Sequence, residues 1–203
     1  MSWLDRVKAR LFRFDNIEPE GVMPVVRRDV EPTVLKVSTE HAENAPCMPE
    51  RVLFVCSGNI CRSAYGAVKL EQLLKERGLT MRIASAGTLR LVGRAAAPEM
   101  IASADERGLD LTHHRSSALS KPLVEAADVI FAMADEHRLE IERICPDCSP
   151  RIVMMGQFLT QPKAEILDPM GCAPQIYREV ANEIDEALEN WLHAAEKTNK
   201  RDV

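Results

Sequence analysis

Residues 51–55 (RVLFV) form a short apolar run that leads into a loop containing Gly58 and then into a helical pattern. An apolar run of this length is typical of a parallel strand buried on both faces. The helical pattern extends from about Ser63 to Arg77 and stops at Gly78, a residue type that closes helices in a left-handed cap. This strand–loop–helix unit favours an α/β architecture, because α/β folds bury parallel strands between helices.

The same alternation of strands and helices continues to the end of the chain. Further strand candidates are MRIAS, DVIFAM and RIVMM, and the stretches between them have helical patterns. One helix is expected from Pro98 towards Gly108, and the last from about Pro174 to Glu196. We therefore predict an α/β fold with a four-stranded parallel sheet and helices on both faces. Such sheets bind ligands at the carboxyl ends of their strands, where the loop after the first strand lies.

The loop after the first strand has residues suited to binding a phosphoryl group. It comprises Cys56, Ser57, Gly58, Asn59, Ile60, Cys61, Arg62 and Ser63. Backbone N–H groups at a helix N-terminus bind phosphate, and the planar guanidinium of Arg62 can contact two phosphate oxygens. The same positive field stabilises a thiolate at Cys56, which makes that residue a candidate nucleophile. The loop therefore predicts a phosphate-binding loop that also holds a reactive cysteine.

The segment VLFVCSGNICRS resembles the active-site signature V-C-x-G-N-I-C-R-S of the low-molecular-weight protein-tyrosine phosphatases. SAGT, which begins at Ser85, is similar to a segment that lines the site in that family. GLDLTHHRSSAL is similar to a family segment whose histidine supports the loop, and the match places that role at His114. The resemblance implies that Asn59, Ser63, Ser85 and His114 form a hydrogen-bond network around the phosphate-binding loop.

The family has its general acid in an Asp-Pro pair far downstream, and this chain has Asp168-Pro169 at the matching distance. The resemblance implies hydrolysis of phosphotyrosine in proteins through a cysteinyl-phosphate intermediate. Cys56 would be the nucleophile, Arg62 the phosphate ligand and Asp168 the acid, with no cofactor and no metal. The loop LRLVG is similar to the bacterial branch that dephosphorylates tyrosine autokinases of exopolysaccharide export, so such a kinase is an expected partner.

Two features of the chain, one a match to the family pattern and one a departure from it, concern the substrate. Family members that act on phosphoarginine carry threonine at the position of Ile60, so the isoleucine favours phosphotyrosine. Many members have two tyrosines after the Asp-Pro pair, whereas this chain has Met170 and Gly171. We therefore expect no aromatic wall from that loop.

The chain contains six cysteines, which we expect to be thiols in a reducing compartment. The resemblance implies that Cys61 is the partner of Cys56 in a reversible disulfide, although a small buried packing residue would fit equally well. Cys145 and Cys148 supply two ligands where a structural zinc site requires four. We expect this pair to lie in an exposed helix-to-strand loop without a catalytic role.

The first 49 residues differ from the rest of the chain and predict an N-terminal extension. Residues 1–14 are basic with apolar positions at helical spacing, and several prolines follow. The helix could contact a membrane surface or pack on the domain. We place the phosphatase domain at residues 50–198 and a tail at 199–203. The net charge of −5 argues against nucleic-acid binding, and the absence of a long apolar run favours a cytoplasmic protein.

Two other functions compete with phosphotyrosine hydrolysis. Arsenate reductases share the expected fold, but they have resolving cysteines just after the third strand, where this chain has Met133, Ala134 and Asp135. A phosphotyrosine-binding module that binds without cleaving would not need Cys56, Arg62 and Asp168 together. A regulator that residues 1–49 dock to a membrane or partner is a further alternative, and a helix that packs on the domain would explain the same residues. The sequence therefore favours the phosphatase.

Overall fold

The computed structural model describes residues 48–199, so the helix and linker expected in the N-terminal extension lie outside the described residues. Within these residues, four strands form one parallel sheet in the order β2-β1-β3-β4. They are β1 Arg51–Cys56, β2 Arg82–Gly87, β3 Val129–Ala132 and β4 Ile152–Met154. The predicted four-stranded parallel sheet is confirmed.

Five α-helices connect and follow the strands in the described part of the chain. They are α1 Arg62–Arg77, α2 Pro98–Asp105, α3 Lys121–Ala126, α4 Asp135–Ile144 and α5 Pro174–Asn199. Short 3₁₀ turns lie at Pro146–Arg151 and Met155–Phe158. The sequence did not predict α3, because six residues are too few to show a helical period.

Side chains of β1 alternate between two hydrophobic clusters on the opposite faces of the sheet. Val52 and Phe54 belong to the cluster shared with α1, α2 and α5, whereas Leu53 and Val55 belong to the cluster shared with α3 and α4. The predicted helices on both faces are therefore confirmed. The buried strand β1 is thus held from both sides, which gives the loop after it a rigid support.

The strand order places a crevice at the carboxyl end of β1. The chain passes from β1 to β2 on one side and later crosses to β3 on the other side of β1. Such a reversal of direction opens a crevice between the loops that leave the two neighbouring strands. The loop formed by residues 57–61 lies there, directly between β1 and α1.

Cys145 and Cys148 are joined by a disulfide, and their exposed fractions are only 7 % and 0 %. The prediction of free thiols in an exposed loop is therefore wrong. Both residues follow α4 and pack in the same cluster as Ile141 and Val124. Their burial follows from the small, apolar character of cysteine, which the CxxC spacing alone does not reveal.

Among residues 48–199, no helix has the length and apolar character required to cross a bilayer.

Candidate active site

Cys56 is the last residue of β1, and only 2 % of its surface is exposed. Its Sγ lies 2.9 Å from the hydroxyl of Ser63, and the backbone N–H of Asn59 donates to Sγ over 3.3 Å. Helix α1 begins at Arg62, so its N-terminal turn follows the loop directly. A sulfur in this position receives hydrogen bonds and a positive field, both of which stabilise a thiolate.

Asn59 holds the loop in shape through its backbone and its side chain. Its φ of 53° lies in the left-handed region, which asparagine tolerates better than most residues. Its amide donates to the Ser63 hydroxyl over 2.9 Å, and its side-chain oxygen accepts the backbone N–H of Ser117 at 2.8 Å. Nε2 of His114 lies 2.7 Å from the Asn59 carbonyl oxygen. A carbonyl oxygen only accepts, so Nε2 of His114 is the donor of this hydrogen bond.

Ser85, which the resemblance placed in this network, lies in β2 opposite Phe54. No hydrogen bond joins its hydroxyl to another of the described residues, so the geometry does not support a place in the network. The neighbouring Gly87 matters instead, because a Cβ there would lie 2.7 Å from the carbonyl oxygen of Ser57. Only glycine therefore lets the end of β2 approach the loop so closely.

The guanidinium of Arg62 is buried and held by three contacts. Nη1 donates to the Ile166 carbonyl oxygen over 3.1 Å, and Nη2 donates to the Ser57 hydroxyl over 3.0 Å. Nη2 also pairs with the carboxylate of Asp168. These contacts aim a permanently charged, planar donor at the loop.

Asp168 reaches the loop although 106 residues separate it from Arg62. Its side chain is 44 % exposed, and its Oδ1 accepts the backbone N–H of Met170 over 3.2 Å. The structure therefore brings the carboxylate, the guanidinium and the loop together. A partly exposed carboxylate beside an anion site is suited to exchange a proton with a leaving group.

Cys61 is the last residue of the same loop; it is buried and forms no disulfide with Cys56. Burial, followed by the proximity of Cys56, raises the pKa of the Cys61 thiol to about 12. Cys61 therefore stays protonated at neutral pH, in contrast to the thiolate that a nucleophile requires.

The sequence did not identify Glu136 and His137 as site residues. Both lie in the first turn of α4, and Ser57 Oγ is 3.2 Å from Glu136 Oε1 and 2.9 Å from His137 Nε2. Burial, reinforced by the positive charge of Arg62, lowers the pKa of His137 to about 4. Their position shortly after β3 was the available signal, because the carboxyl ends of neighbouring parallel strands meet at one edge of the sheet.

The comparisons with known proteins cover nearly all of the described residues. The family model for low molecular weight phosphotyrosine protein phosphatases matches residues 51–201. The protein-arginine-phosphatase of Bacillus subtilis (strain 168) is 27 % identical over 149 residues, which cover 73 % of this chain and 99 % of that protein. The probable low molecular weight protein-tyrosine-phosphatase AmsI of Erwinia amylovora is 31 % identical over 147 residues, 72 % of this chain and 98 % of that protein.

Among solved structures, the tyrosine phosphatase Wzb from Escherichia coli K30, in complex with sulphate, superposes with a TM-score of 0.66. It is 31 % identical in sequence, and the match covers 74 % of this chain and 99 % of that chain. The fold of this chain, including the position of the loop after β1, is therefore that of known phosphatases.

Proposed function

We propose that Cys56, Arg62 and Asp168 carry out the reaction of this chain, which belongs to the family of low molecular weight phosphotyrosine protein phosphatases and hydrolyses phosphotyrosine. The observation that supports these roles best is the environment of Cys56 Sγ. That sulfur lies against the Asn59 N–H and the Ser63 hydroxyl, in a loop that also presents Arg62. The same loop thus holds the nucleophile and the hydrogen-bond donors that bind the phosphoryl group which the nucleophile attacks.

In the first step, the Cys56 thiolate attacks phosphorus and the bond from phosphorus to the tyrosine oxygen breaks. The proton of Asp168 passes to the departing phenoxide, leaving a cysteinyl-phosphate. In the second step, the Asp168 carboxylate takes a proton from water, whose oxygen attacks phosphorus and releases the Cys56 thiolate and phosphate. Arg62 and the backbone N–H groups of the loop stabilise the charge on the phosphoryl oxygens in both steps.

The loops that border the site provide an apolar rim for an aromatic ring. Leu89 donates its backbone N–H to the Ser57 carbonyl oxygen over 2.9 Å, which ties its loop to the phosphate-binding loop. Leu89 is largely exposed, as are Leu167 and Met170, the residues that flank the Asp168-Pro169 pair. This rim takes the place of the aromatic wall that the sequence lacks.

Phosphoarginine is the second candidate substrate, because the chain is also similar to a protein-arginine-phosphatase. Ile60 favours phosphotyrosine, since the resemblance gives threonine at this position to the phosphoarginine enzymes. Arsenate reduction has less support. The nearest cysteine after β3 is Cys145, which lies beyond the far end of α4 in a disulfide with Cys148.

We also propose that the physiological substrate is a phosphotyrosine protein of the tyrosine autokinase type and that the enzyme acts in the cytoplasm. The similarity of the LRLVG segment to the exopolysaccharide branch supports this partner. The basic, apolar pattern of residues 1–14 would allow contact with a membrane surface that carries such a kinase. The net charge of −5 gives no support to a nucleic-acid partner.

A substrate panel tests the proposal. Wild type and Cys56→Ser are compared on phosphotyrosine, phosphoserine and phosphoarginine peptides, and on arsenate with thioredoxin. We expect wild type to release phosphate fastest from phosphotyrosine and Cys56→Ser to release none, while phosphate still binds the mutant in calorimetry. Faster turnover of phosphoarginine, or thioredoxin oxidation that depends on arsenate, would assign a different substrate. Activity retained by Cys56→Ser would refute the proposed nucleophile.

A further inference from the structure

His137 is a fully buried histidine beside the phosphate-binding loop that the reaction steps above do not use. Its exposed fraction is 0 %, and its Nε2 lies 2.9 Å from Ser57 Oγ and 3.2 Å from Glu136 Oε1. Nδ1 is buried and has no partner among residues 48–199. Within the described part of the chain, the polar contacts of this ring are therefore all at the edge of the candidate active site.

The hydrogen-bond roles follow from the chemistry of the three groups. A guanidinium only donates, so Arg62 Nη2 donates to Ser57 Oγ over their 3.0 Å distance. An unpaired buried N–H is rarer in proteins than an unpaired acceptor, so we assign the single proton of neutral His137 to Nε2. His137 then donates to Ser57 as well. The Ser57 hydroxyl proton is directed to the carboxylates of Glu136 and Asp168, at 3.2 and 3.5 Å.

We propose that His137 is a positioning residue of the phosphatase reaction, which fixes the Ser57 hydroxyl and through it the phosphate-binding guanidinium of Arg62. This inference rests on the proposed role of Arg62. The guanidinium contacts the Ile166 carbonyl, the Ser57 hydroxyl and the carboxylate of Asp168. A bound oxyanion would displace the partly exposed carboxylate, so the orientation of the guanidinium in the complex depends on Ile166 and Ser57. With the Ser57 anchor free to turn, Arg62 would match the phosphate oxygens less well in the ground state and in the transition state.

The surroundings of His137 keep it neutral, as this role requires. Burial and the charge of Arg62 lower its pKa to about 4, against the opposing effect of Glu136, Asp168 and Glu165. A charged imidazolium would lie close to Arg62 and would repel it. A neutral ring holds Ser57 without disturbing the charge balance of the site.

A double-mutant cycle between His137 and Ser57 tests the proposal. His137→Phe removes the donor and keeps an aromatic ring, so kcat/KM for p-nitrophenyl phosphate should fall about tenfold, the usual cost of one hydrogen bond in a charged network. Ser57→Ala should cost a similar factor. Because both changes break one chain of contacts, adding His137→Phe to Ser57→Ala should cause no further loss. Phosphate inhibition should weaken in parallel with kcat/KM.

His137→Gln keeps a side-chain N–H donor and should recover part of the loss, which a purely structural role of the ring would not explain. His193→Phe, at an exposed position of α5, is the matched control and should behave as wild type. If His137→Phe fails to fold, His137→Gln and Ser57→Ala still complete a cycle. In that cycle, His137→Gln should lower kcat/KM when Ser57 is present and should have no further effect in Ser57→Ala.

The proposal would be overturned if the double mutant lost kcat/KM by the product of the two single-mutant factors. Wild-type activity in His137→Phe would overturn it as well. Both outcomes differ from a failure of the proposed function, which Cys56→Ser detects by itself.

Discussion

The guanidinium of Arg62 is paired with the carboxylate of Asp168, so the proposed phosphate ligand also binds the proposed acid. A phosphate group that binds Arg62 must compete with this carboxylate for the same nitrogen, Nη2. The competition couples phosphate binding by Arg62 to proton donation by Asp168. When an oxyanion occupies Arg62, the carboxylate of Asp168 is released and can turn towards the leaving group. The exposure of Asp168 allows such a movement, whereas the buried Arg62 stays in place.

Removal of the Asp168 charge should therefore strengthen oxyanion binding. In Asp168→Asn, phosphate and vanadate should inhibit about fivefold more strongly, because solvent at the 44 % exposed carboxylate screens its pair with the buried Arg62 and keeps the pair's worth at about 1 kcal/mol. Inhibition constants measured with an activated aryl phosphate would show this change. Asp135→Asn removes a nearby carboxylate that does not contact Arg62 and should leave the constants unaltered. Equal or weaker inhibition of Asp168→Asn would mean that the two anions do not compete.

The buried Cys61 thiol leads to a prediction about oxidation. Peroxide converts a reactive thiolate to a sulfenic acid, which a neighbouring thiol can capture as a disulfide. If Cys61 serves this role, dithiothreitol should restore wild type after mild peroxide treatment but should not restore Cys61→Ser. Since the pKa of Cys61 is about 12, its thiolate is scarce at neutral pH, and capture should be faster at pH 9 than at pH 7.

Recovery after peroxide treatment, measured at both pH values, checks this prediction, and Cys172→Ser is the control because Cys172 is free and exposed. Equal recovery of wild type and Cys61→Ser would leave Cys61 a packing residue only.

The four-stranded parallel sheet could be predicted from the sequence, because each buried parallel strand is a short apolar run of consecutive residues. The phosphate-binding loop could also be predicted, because its residues are contiguous in the sequence between β1 and α1. The resemblance to the phosphatase family is confirmed by the family match to residues 51–201. It directed attention to Asp168, and the structure places that carboxylate on Arg62.

Contacts between distant segments were harder to predict. Ser85 resembles a site residue in sequence but makes no hydrogen bond there among the described residues, while the backbone of Ser117 contacts Asn59 from a neighbouring loop. His137 shows no motif, and its role follows only from the approach of α4 to the loop. The burial of Cys145 and Cys148 depends on how α4 packs on the sheet, which their spacing does not determine.

The low pKa of His137 should make stability depend on pH. The folded-state pKa of about 4 lies below the ordinary value of 6.5, so the unfolded chain binds more protons between these values. The contribution of neutral His137 to the free energy of unfolding should be fully present well above pH 6.5 and should be lost as the pH falls towards 4. The free energy of unfolding should decrease by about 2 kcal/mol between pH 7 and pH 5. Urea unfolding of wild type and His137→Gln at both pH values checks this. A decline of the same size in His137→Gln would assign the effect to other groups.

The proposed roles of Asp168 and Arg62 predict different responses to the leaving group. Asp168 protonates the departing phenoxide, so Asp168→Asn should slow phosphotyrosine hydrolysis by about 10²–10⁴-fold, the usual contribution of a positioned acid. The loss should be much smaller for aryl phosphates whose phenols are already acidic, because such phenoxides leave without a proton. Arg62→Lys should impair all of these substrates alike, since an ammonium cannot reproduce the two-point contact with phosphate oxygens. Rates for both mutants on a series of aryl phosphates of graded phenol acidity separate the two roles. A constant loss across the series for Asp168→Asn would show that another carboxylate, such as Asp135 or Glu136, supplies the proton.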